Sequence, residues 1–305
     1  MYGSLAINRV DIAHHESSTA DTMSMRMPSP DISEILRRVD AVSDGSAPSA
    51  SIATGFPSLD KTLGGGLRPG DLVFLGGDVG SGKSALALAI ALRATALGGS
   101  AILLSGEMAP DRLLERVLAI EGRAPIDDIR NGSCDDAARA SLGAAAHRLR
   151  DQMPTLDRIP HGGVGEVDIM LRSTPDLQLA VVDSLQSITR KGTSQEEELA
   201  VAVKELKMLA IDASLAILVT THVHQQLRGR SDPRPTLDDF GALGSVKQHA
   251  DVVLALYRAE MYDPGWGAQG GAELILLKNR NGPISYIDLF FHQRWLRFED
   301  VMDPE

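Results

Sequence analysis

The sequence predicts an α/β protein in which a mostly parallel central sheet is flanked by helices and ends in antiparallel edge strands. From residue 51 onward, apolar runs typical of buried strands alternate with helical patterns, and this alternation favours parallel strands joined by helices. One of the apolar runs leads into a glycine-rich stretch that is followed at once by a helix. The C-terminal part carries hairpin signals such as Asn281-Gly282, which favour an antiparallel edge.

The elements can be assigned in chain order from these patterns. Strands are predicted at residues 71–76, 101–105, 155–159, 177–183, 215–221, 251–257, 272–278, 285–291 and 295–299. Helices are predicted at residues 83–97, 110–121, 135–150, 165–172 and 195–213. We see no internal repeat, and we predict one α/β domain over residues 51–305.

The stretch DLVFLGGDVGSGKS, at residues 71–84, fits the phosphate-binding pattern G-x-x-x-x-G-K-S/T. Its glycines let the backbone N–H groups turn towards an anion, and the following helix adds its positive N-terminal end. Lys83 can reach the terminal phosphates, and the Ser84 hydroxyl can ligate Mg²⁺. We therefore predict that a nucleoside triphosphate binds to Gly77, Asp78, Val79, Gly80, Ser81, Gly82, Lys83 and Ser84.

Two carboxylates follow other predicted strands. Asp183 ends the run LAVVD, the position from which an Asp orients Mg²⁺ or its water. Glu107 lies just past the strand at residues 101–105, at the edge of the sheet that lines the ligand crevice. Glu107 is therefore a candidate general base for an attacking water, or alternatively a residue at the start of the next helix that interacts with its dipole.

Polar residues at two further strand ends are candidate site residues. His222 can contact a γ-phosphate and report its loss, or be a satisfied structural histidine; a metal site with His224 lacks a third ligand. Lys278 and Arg280 stand two apart and point the same way. They either reach a phosphate on the same or an adjacent subunit, as an arginine finger does, or flank a hairpin in solvent.

Length and composition limit the function classes. The chain has 305 residues, of which 43% are hydrophobic, enough for one large domain or two small ones. No apolar run reaches the ~18 residues of a membrane span, and no apolar signal core follows the N-terminus. The single cysteine, Cys134, excludes an intramolecular disulfide and a cysteine zinc cluster. We expect a cytoplasmic protein without a membrane partner.

The net charge of −11 argues against a general nucleic-acid adhesive. If the chain binds DNA or RNA, it must do so through a local basic surface or an assembled ring. The densest basic loop holds Arg228, Arg230 and Arg234. This loop is either a DNA contact or a mobile solvated segment.

The first fifty residues differ in composition from the rest. Residues 1–30 have no periodicity and predict a flexible arm. Residues 31–42 predict a short linker helix with Asp31 as N-cap, Glu34 three positions later and one apolar stripe. A linker composition follows at residues 43–49. Because so short a helix is marginal alone, its stripe must pack on its own domain or on a neighbouring subunit.

Segments spread over residues 51–305 together resemble the RecA-like ATPase domain of DnaB-type replicative helicases. The matching segments lie at residues 54–60, 69–72, 77–84, 105–108, 182–186, 248–253, 256–258 and 278–283. The last of them, KNRNGP, is highly specific. The resemblance implies a RecA-like core of the P-loop NTPase type.

The resemblance also implies roles for individual residues. Lys83 and Ser84 would hold phosphate and Mg²⁺, and Asp183 would orient the metal. Glu107 would be the catalytic carboxylate. Arg280 resembles the finger that acts across the subunit interface, with Lys278 as its companion.

The family couples ATP hydrolysis in a hexameric ring to translocation on single-stranded DNA. The resemblance therefore implies ATP and Mg²⁺ as cofactors, a homo-oligomer with a hexameric ring as its expected form, and replication or loader proteins as further partners. The helix at residues 31–42 resembles the family's linker helix, which docks on the neighbouring subunit.

The sequence departs from the family pattern at three places. Family helicases carry an N-terminal helical domain for ring assembly and primase contact, whereas residues 1–50 precede the matching part here. The sensor position usually holds Gln, and this chain has His222. The central-channel loop usually reads Arg-Glu-Ser-Gly, and residues 241–244 read GALG. The missing Arg removes one phosphate contact, although backbone N–H groups of a glycine-containing loop can still meet a phosphate.

These features lead to one main hypothesis and two alternatives. We expect an ATP-hydrolysing, DnaB-like helicase or translocase motor that acts on single-stranded DNA as an oligomeric ring, in DNA replication or a related process. The first alternative is a nucleotide-switched ATPase similar to KaiC, in which ATP controls assembly or partner binding without unwinding. The second alternative is a recombination mediator similar to RadA, and the lack of a four-cysteine zinc module counts against it.

Overall fold

The computed structural model describes residues 31–46, 50–188, 194–223, 227, 229–263, 265 and 269–301. The chain divides into two units, at residues 1–48 and 49–305. The flexible arm expected at residues 1–30 lies outside the described residues. In the first unit, helix α1 (Ile32–Ser43) covers the predicted short helix, and the Asp31 carboxylate caps it by accepting a hydrogen bond from the Ser33 N–H at 3.0 Å.

The second unit carries the remaining elements. Its helices are α2 (Pro57–Thr62), α3 (Lys83–Ala96), α4 (Pro110–Gly122), α5 (Ile126–Asn131), α6 (Asp136–Leu149), α7 (Val164–Ser173), α8 (Gln195–Ala213) and α9 (Ser245–His249). Its strands are β1 (Leu72–Gly77), β2 (Ala101–Ser105), β3 (Thr155–Arg158), β4 (Leu179–Asp183), β5 (Ala216–His222), β6 (Val252–Tyr257), β7 (Gly271–Asn279), β8 (Ser285–His292) and β9 (Arg297–Asp300).

Within the described ranges, the strands form one sheet in the order β3-β2-β4-β5-β1-β6-β7-β8-β9. The pairs from β3 to β6 are all parallel, and the three pairs from β6 to β9 are antiparallel. The predicted fold class, a mostly parallel sheet with an antiparallel C-terminal edge, is confirmed. No helix of the described part is both long and apolar enough to cross a bilayer.

The sheet is buried on both faces at its centre, and β1 shows why. Its side chains alternate: Val73 and Leu75 pack with α3 in one core, and Leu72 and Phe74 pack in the other core, below α7 and α8. A strand covered on both sides must be apolar at every position, which accounts for the unbroken apolar run in the sequence.

The structure differs from the predicted elements at short segments. Helices α2, α5 and α9 are five or six residues long, too short for a helical period to show in the sequence. The last strand was predicted at residues 295–299, and this is wrong at its start. A 3₁₀ turn occupies Gln293–Trp295, and Leu296 has a left-handed φ of 56°, so β9 begins only at Arg297.

Candidate nucleotide-binding site

The carboxyl ends of four adjacent parallel strands bring the predicted site residues together. Strands β2, β4, β5 and β1 are neighbours in the sheet. Ser105 pairs with Asp183 and Gly77 pairs with His222, so the residues that end these strands lie at the same edge. Glu107 follows β2 directly. This edge is where open α/β sheets bind their ligands.

The predicted phosphate loop connects β1 to α3. Gly80 and Gly82 have left-handed φ values of 81° and 104°, which side-chain-bearing residues rarely adopt. At Gly77, a Cβ would stand 2.8 Å from the Leu256 carbonyl oxygen, too close for any residue but glycine. Gly82 is the N-cap of α3, so the unpaired N–H groups of the first helical turn face the loop.

Lys83 begins α3 and is buried beneath the loop. Its Nζ donates hydrogen bonds to the carbonyl oxygens of Gly77, at 3.0 Å, and Asp78, at 2.9 Å. Burial lowers the pKa of Lys83 to about 8, although the nearby charges of Asp183, Asp78 and Glu107 oppose the shift. The charged form of Lys83 is therefore under-stabilised in this chain, and a phosphate anion would stabilise it.

Asp183 ends β4 as a buried carboxylate. Its Oδ1 accepts hydrogen bonds from the Ser84 hydroxyl, at 3.0 Å, and the Thr220 hydroxyl, at 2.5 Å. Burial raises the pKa of Asp183, and these two hydrogen bonds act in the opposite direction. A carboxylate beside a hydroxyl is the oxygen donor set that suits Mg²⁺. The described residues hold no group of three or more His, Cys, Asp or Glu side chains that can bind a metal by itself, so phosphate or water oxygens would complete such a site.

Glu107 and His222 face each other across the cleft. Glu107 Oε1 accepts a hydrogen bond from the Ser184 hydroxyl, at 3.2 Å, and lies 3.6 Å from His222 Nε2. About half of the Glu107 side chain is exposed, at 53%, so solvent reaches its carboxylate. The position suits a group that accepts a proton from water. His224, the second histidine of the sequence motif, lies outside the described residues.

The cleft between these residues has a volume of about 310 Å³. Three buried polar atoms in or beside it have no hydrogen-bond partner in the described part of the chain: Ser81 Oγ, Arg116 Nε and His222 Nδ1. Buried polar atoms without a partner are rare in proteins. Their concentration here fits a cleft that receives a polar ligand.

Sequence reasoning missed two arginines that line this cleft. Arg258 follows β6, donates to the Gly80 carbonyl oxygen at 3.4 Å and forms an ion pair with Glu260. A charged residue at the end of an apolar strand was a usable signal for it, as it was for Asp183. Arg116 lies on α4, and burial lowers its pKa while the Asp183 charge raises it. Nothing in the helical pattern distinguishes Arg116 from a surface arginine.

Arg280 and Lys278 lie at the opposite edge of the sheet. Asn279, between them, pairs with Val252, the first residue of β6, whereas Gly77 pairs with Leu256 near its end. Four residues span about 13 Å along a strand. The structure therefore does not bring the two cations to the phosphate loop of their own chain.

The candidate DNA-binding arginines are paired within the chain. Arg230 forms a bidentate ion pair with Asp239, and Arg234 forms one with Glu273 at 2.6 and 2.7 Å. Arg228 lies outside the described residues. Arg230 and Arg234 are thus neither free phosphate contacts nor freely solvated side chains, and the charge count of the sequence overstates the basic character of this loop.

The segment at residues 241–244 forms a tight turn before α9. Ala242 and Leu243 both have left-handed φ values, of 52° and 49°, between two glycines. Leu243 exposes 65% of its surface at the tip, while Ala242 is buried. The turn therefore presents an apolar side chain at its tip.

The glycine-rich loop connects the buried strand β1 to a helix, and β4, which ends in Asp183, lies in the same parallel sheet with one strand between it and β1. This arrangement defines a P-loop nucleotide-binding fold of the RecA-like type. Comparison with known families agrees. The family model described as "DnaB-like helicase C terminal domain" matches residues 51–300, and the chain belongs to this family.

Curated relatives are named as replicative DNA helicases. The chain is 30% identical over 265 residues to "Replicative DNA helicase DnaB" of Leifsonia xyli subsp. xyli, covering 85% of this chain and 57% of that protein. It is 30% identical over 257 residues to "Replicative DNA helicase DnaC" of Bacillus subtilis, covering 82% and 56%. The chain thus spans little more than half the length of the curated relatives it matches.

Solved structures share the fold. One of them, the structure of an isolated ATPase domain, superposes with a TM-score of 0.81 at 22% identity, over 90% of this chain and 99% of that one. A second structure is titled "The Structure Of A DnaB-Like Replicative Helicase And Its Interactions With Primase". It superposes with a TM-score of 0.79 at 22% identity, over 90% of this chain and 67% of that one. At this identity the likeness concerns the fold alone.

Proposed function

We propose that this chain is an ATP-hydrolysing, DnaB-like motor that acts on single-stranded DNA as an oligomeric ring, in DNA replication or a related process. One observation carries the proposal: Lys83, Ser84, Asp183 and Glu107 converge in a single cleft, while Arg280 lies at the far edge of the same sheet. A second copy can supply its Arg280 to the cleft of the first. The names of the curated relatives support the same activity.

The residues of the cleft have different proposed roles in ATP hydrolysis. The loop N–H groups and the Lys83 ammonium would hold the β- and γ-phosphates of ATP. Ser84 and Asp183 would hold Mg²⁺, which neutralises phosphate charge when it is bound. Glu107 would accept a proton from the attacking water, and His222, whose Nε2 lies 3.6 Å from Glu107 Oε1, would contact both the γ-phosphate and Glu107.

A neighbouring copy completes the site in this proposal. Its Arg280, with Lys278 beside it, stabilises the charge of the transition state, a contribution of about 10³-fold or more for arginine fingers. We further propose a hexameric ring, in which the apolar stripe of α1 packs on the adjacent copy. Single-stranded DNA, and replication or loader proteins, are the proposed partners.

The proposal is tested by measuring ATP turnover with and without single-stranded DNA, beside a mass measurement of the assembly. We expect turnover that DNA stimulates, in an assembly of several copies, and loss of both turnover and strand separation in Lys83→Ala. Absence of single-stranded DNA binding at low salt, with the assembly formed and an ATP analogue present, would contradict a DNA motor.

A nucleotide-switched assembly protein is the second candidate. It is favoured by the pairing of Arg230 and Arg234 with carboxylates of their own chain and by the apolar tip at Leu243, where the family usually has a polar loop. In that case ATP changes the size of the assembly, and DNA leaves the turnover rate unchanged. The same two measurements therefore separate the candidates.

A further inference from the structure

A buried carboxylate at the edge opposite the phosphate loop joins two parts of the proposed motor. Asp251 precedes β6, and its side chain is only 8% exposed. Its Oδ2 accepts hydrogen bonds from the Leu72 N–H, at 2.8 Å, and Lys207 Nζ, at 2.6 Å. Its Oδ1 accepts one from Arg280 Nη1, at 3.1 Å. One oxygen thus faces the strand that leads to the phosphate loop, and the other faces the candidate finger.

Backbone contacts strengthen both links. The Asp251 N–H donates to the Leu72 carbonyl oxygen and the Arg280 N–H donates to the Asp251 carbonyl oxygen, each at 2.9 Å. Arg280 Nη2 donates to the carbonyl oxygen of Gln248, at 2.6 Å. The guanidinium is therefore held at two nitrogens, yet 47% of the side chain stays exposed and open to a second molecule.

Asn281, the residue after Arg280, forms an independent hydrogen bond at the start of the same strand. Asn281 Nδ2 donates to Asp71 Oδ2, at 2.7 Å, and Asp71 directly precedes β1. The segment that carries Arg280 is thus fastened at two adjacent points to the start of the strand that ends in this chain's own phosphate loop.

We propose that Asp251 positions Arg280. In this role, the Asp251 carboxylate fixes the direction of the Arg280 guanidinium with respect to β1. The inference rests on the proposed role of Arg280 at a neighbouring copy's cleft. A long arginine side chain has many rotamers, and a finger must reach its phosphate with little error. Asp251 holds Nη1 while the Gln248 carbonyl holds Nη2, so the guanidinium is kept in one orientation although 47% of the side chain is exposed.

The substitution Asp251→Asn tests this role with little change in volume. An amide has one acceptor oxygen and an NH₂ group, whereas every group that contacts the Asp251 carboxylate here is a hydrogen-bond donor. The NH₂ group must therefore face either Arg280 or the Leu72–Lys207 pair, and the guanidinium loses its charged partner. We expect a fall in turnover rate of about 10²-fold, the effect of a misplaced catalytic group, with nucleotide affinity retained.

Mixing experiments separate positioning from a general structural defect. Asp251→Asn subunits keep an intact cleft, and Lys83→Ala subunits keep an intact Arg280. In mixed assemblies, a Lys83→Ala subunit can serve the cleft of an Asp251→Asn neighbour, so we expect turnover above that of either variant alone. A subunit carrying both changes, mixed with Lys83→Ala subunits, leaves no intact cleft in the assembly, gives no such rescue and is the matched control. Lys207→Met, which leaves the Arg280 contact in place, should reduce turnover much less than Asp251→Asn.

The outcomes distinguish this inference from the function on which it rests. If Arg280→Ala and Lys83→Ala subunits do not restore turnover when mixed, the finger does not act between copies, and both proposals fail. If that pair restores turnover but the pair of Asp251→Asn and Lys83→Ala does not, only the positioning role fails. Full turnover, or a gain in turnover, in Asp251→Asn alone would also overturn it.

Discussion

The residues of the cleft carry charge in surroundings that disfavour it. Burial lowers the pKa of Lys83 to about 8 and raises the pKa of Asp183, so each group is displaced towards its neutral form. Opposed shifts of this kind are typical of sites that bind a charged ligand. Phosphate oxygens would favour the charged form of Lys83, and a bound cation would favour that of Asp183.

A pH dependence of nucleotide binding follows from the Lys83 pKa. Because this pKa is near 8 in the chain, the ammonium loses its proton as the pH rises above 8, and ATP binding must then restore it. We expect ATP affinity to be nearly constant below pH 7, to fall about twofold between pH 7 and 8, and to approach a tenfold fall per pH unit well above 8, with uptake of a proton. Calorimetric titrations in buffers of different ionisation enthalpy measure both quantities.

The titration at pH 7 is the internal control for this prediction, since Lys83 is already charged there and binding should take up no proton at this group. A constant affinity up to pH 10, with no proton uptake at pH 9, would show that Lys83 keeps its ordinary pKa. It would also remove the argument that burial prepares this lysine for an anion.

Residue patterns predicted some side chains of the site and not others, for a physical reason. Asp183 and Glu107 follow apolar strands, and parallel strands place such residues at one edge of the sheet. Arg258 obeys the same rule and was missed only because its motif was given no role. Arg116 comes from a helix, and which helix face borders the cleft depends on packing that the sequence does not show.

At the scale of elements, β1 is in close contact with a buried core at Gly76, just before the phosphate loop. A Cβ on Gly76 would stand 2.4 Å from the Phe240 ring and 3.1 Å from Val223 Cγ1. Both of these atoms belong to buried side chains, so they have little room to move. The strand can approach this core only because the position is glycine.

We expect Gly76→Ala to destabilise the fold by about 1–3 kcal/mol, the usual effect of overpacking a core. Chemical denaturation of the two chains in parallel measures this. Gly143→Ala is the matched control, because Gly143 lies within α6 and its Cβ would meet nothing within 4 Å. That change should leave stability unchanged or raise it by up to about 1 kcal/mol. Equal stabilities for the two variants would show that the Phe240 contact exerts no constraint.

The long elements could be predicted from the sequence, and their arrangement could not. Strand β2 (Ala101–Ser105) and helix α8 (Gln195–Ala213) have the predicted bounds, because one is an unbroken apolar run and the other has several helical turns. The strand order depends on contacts between segments far apart in the chain, and local patterns carry no information on them. Pairing of β1 with β5 and β6 is such a case.

At the scale of the whole molecule, the sheet separates the parts of the proposed motor. The phosphate loop, Asp183 and Glu107 occupy the carboxyl edge of the parallel strands, and Arg280 occupies the opposite edge. A copy placed with its Arg280 edge against the next copy's cleft repeats the same contact around a closed ring. This head-to-tail geometry needs a further contact that holds adjacent copies in register, and we propose that α1 provides it.

Helix α1 has the properties of an element that packs on another molecule. It buries none of its residues, and its apolar side chains are widely exposed, with Leu36 at 59% and Val39 at 53%. We expect the double change Leu36→Ser and Val39→Ser to shift the assembly to smaller masses, measured by light scattering at several concentrations. The free energy of unfolding of residues 49–305 should stay within about 0.5 kcal/mol of that of the unsubstituted chain, as is usual for exposed positions. The changes Arg38→Ser and Asp40→Ser, on exposed polar positions of the same helix, are the control and should leave the mass unchanged. An unchanged mass in the Leu36 and Val39 variant would mean that the stripe does not join copies, and a lowered unfolding transition would mean instead that it packs on its own domain.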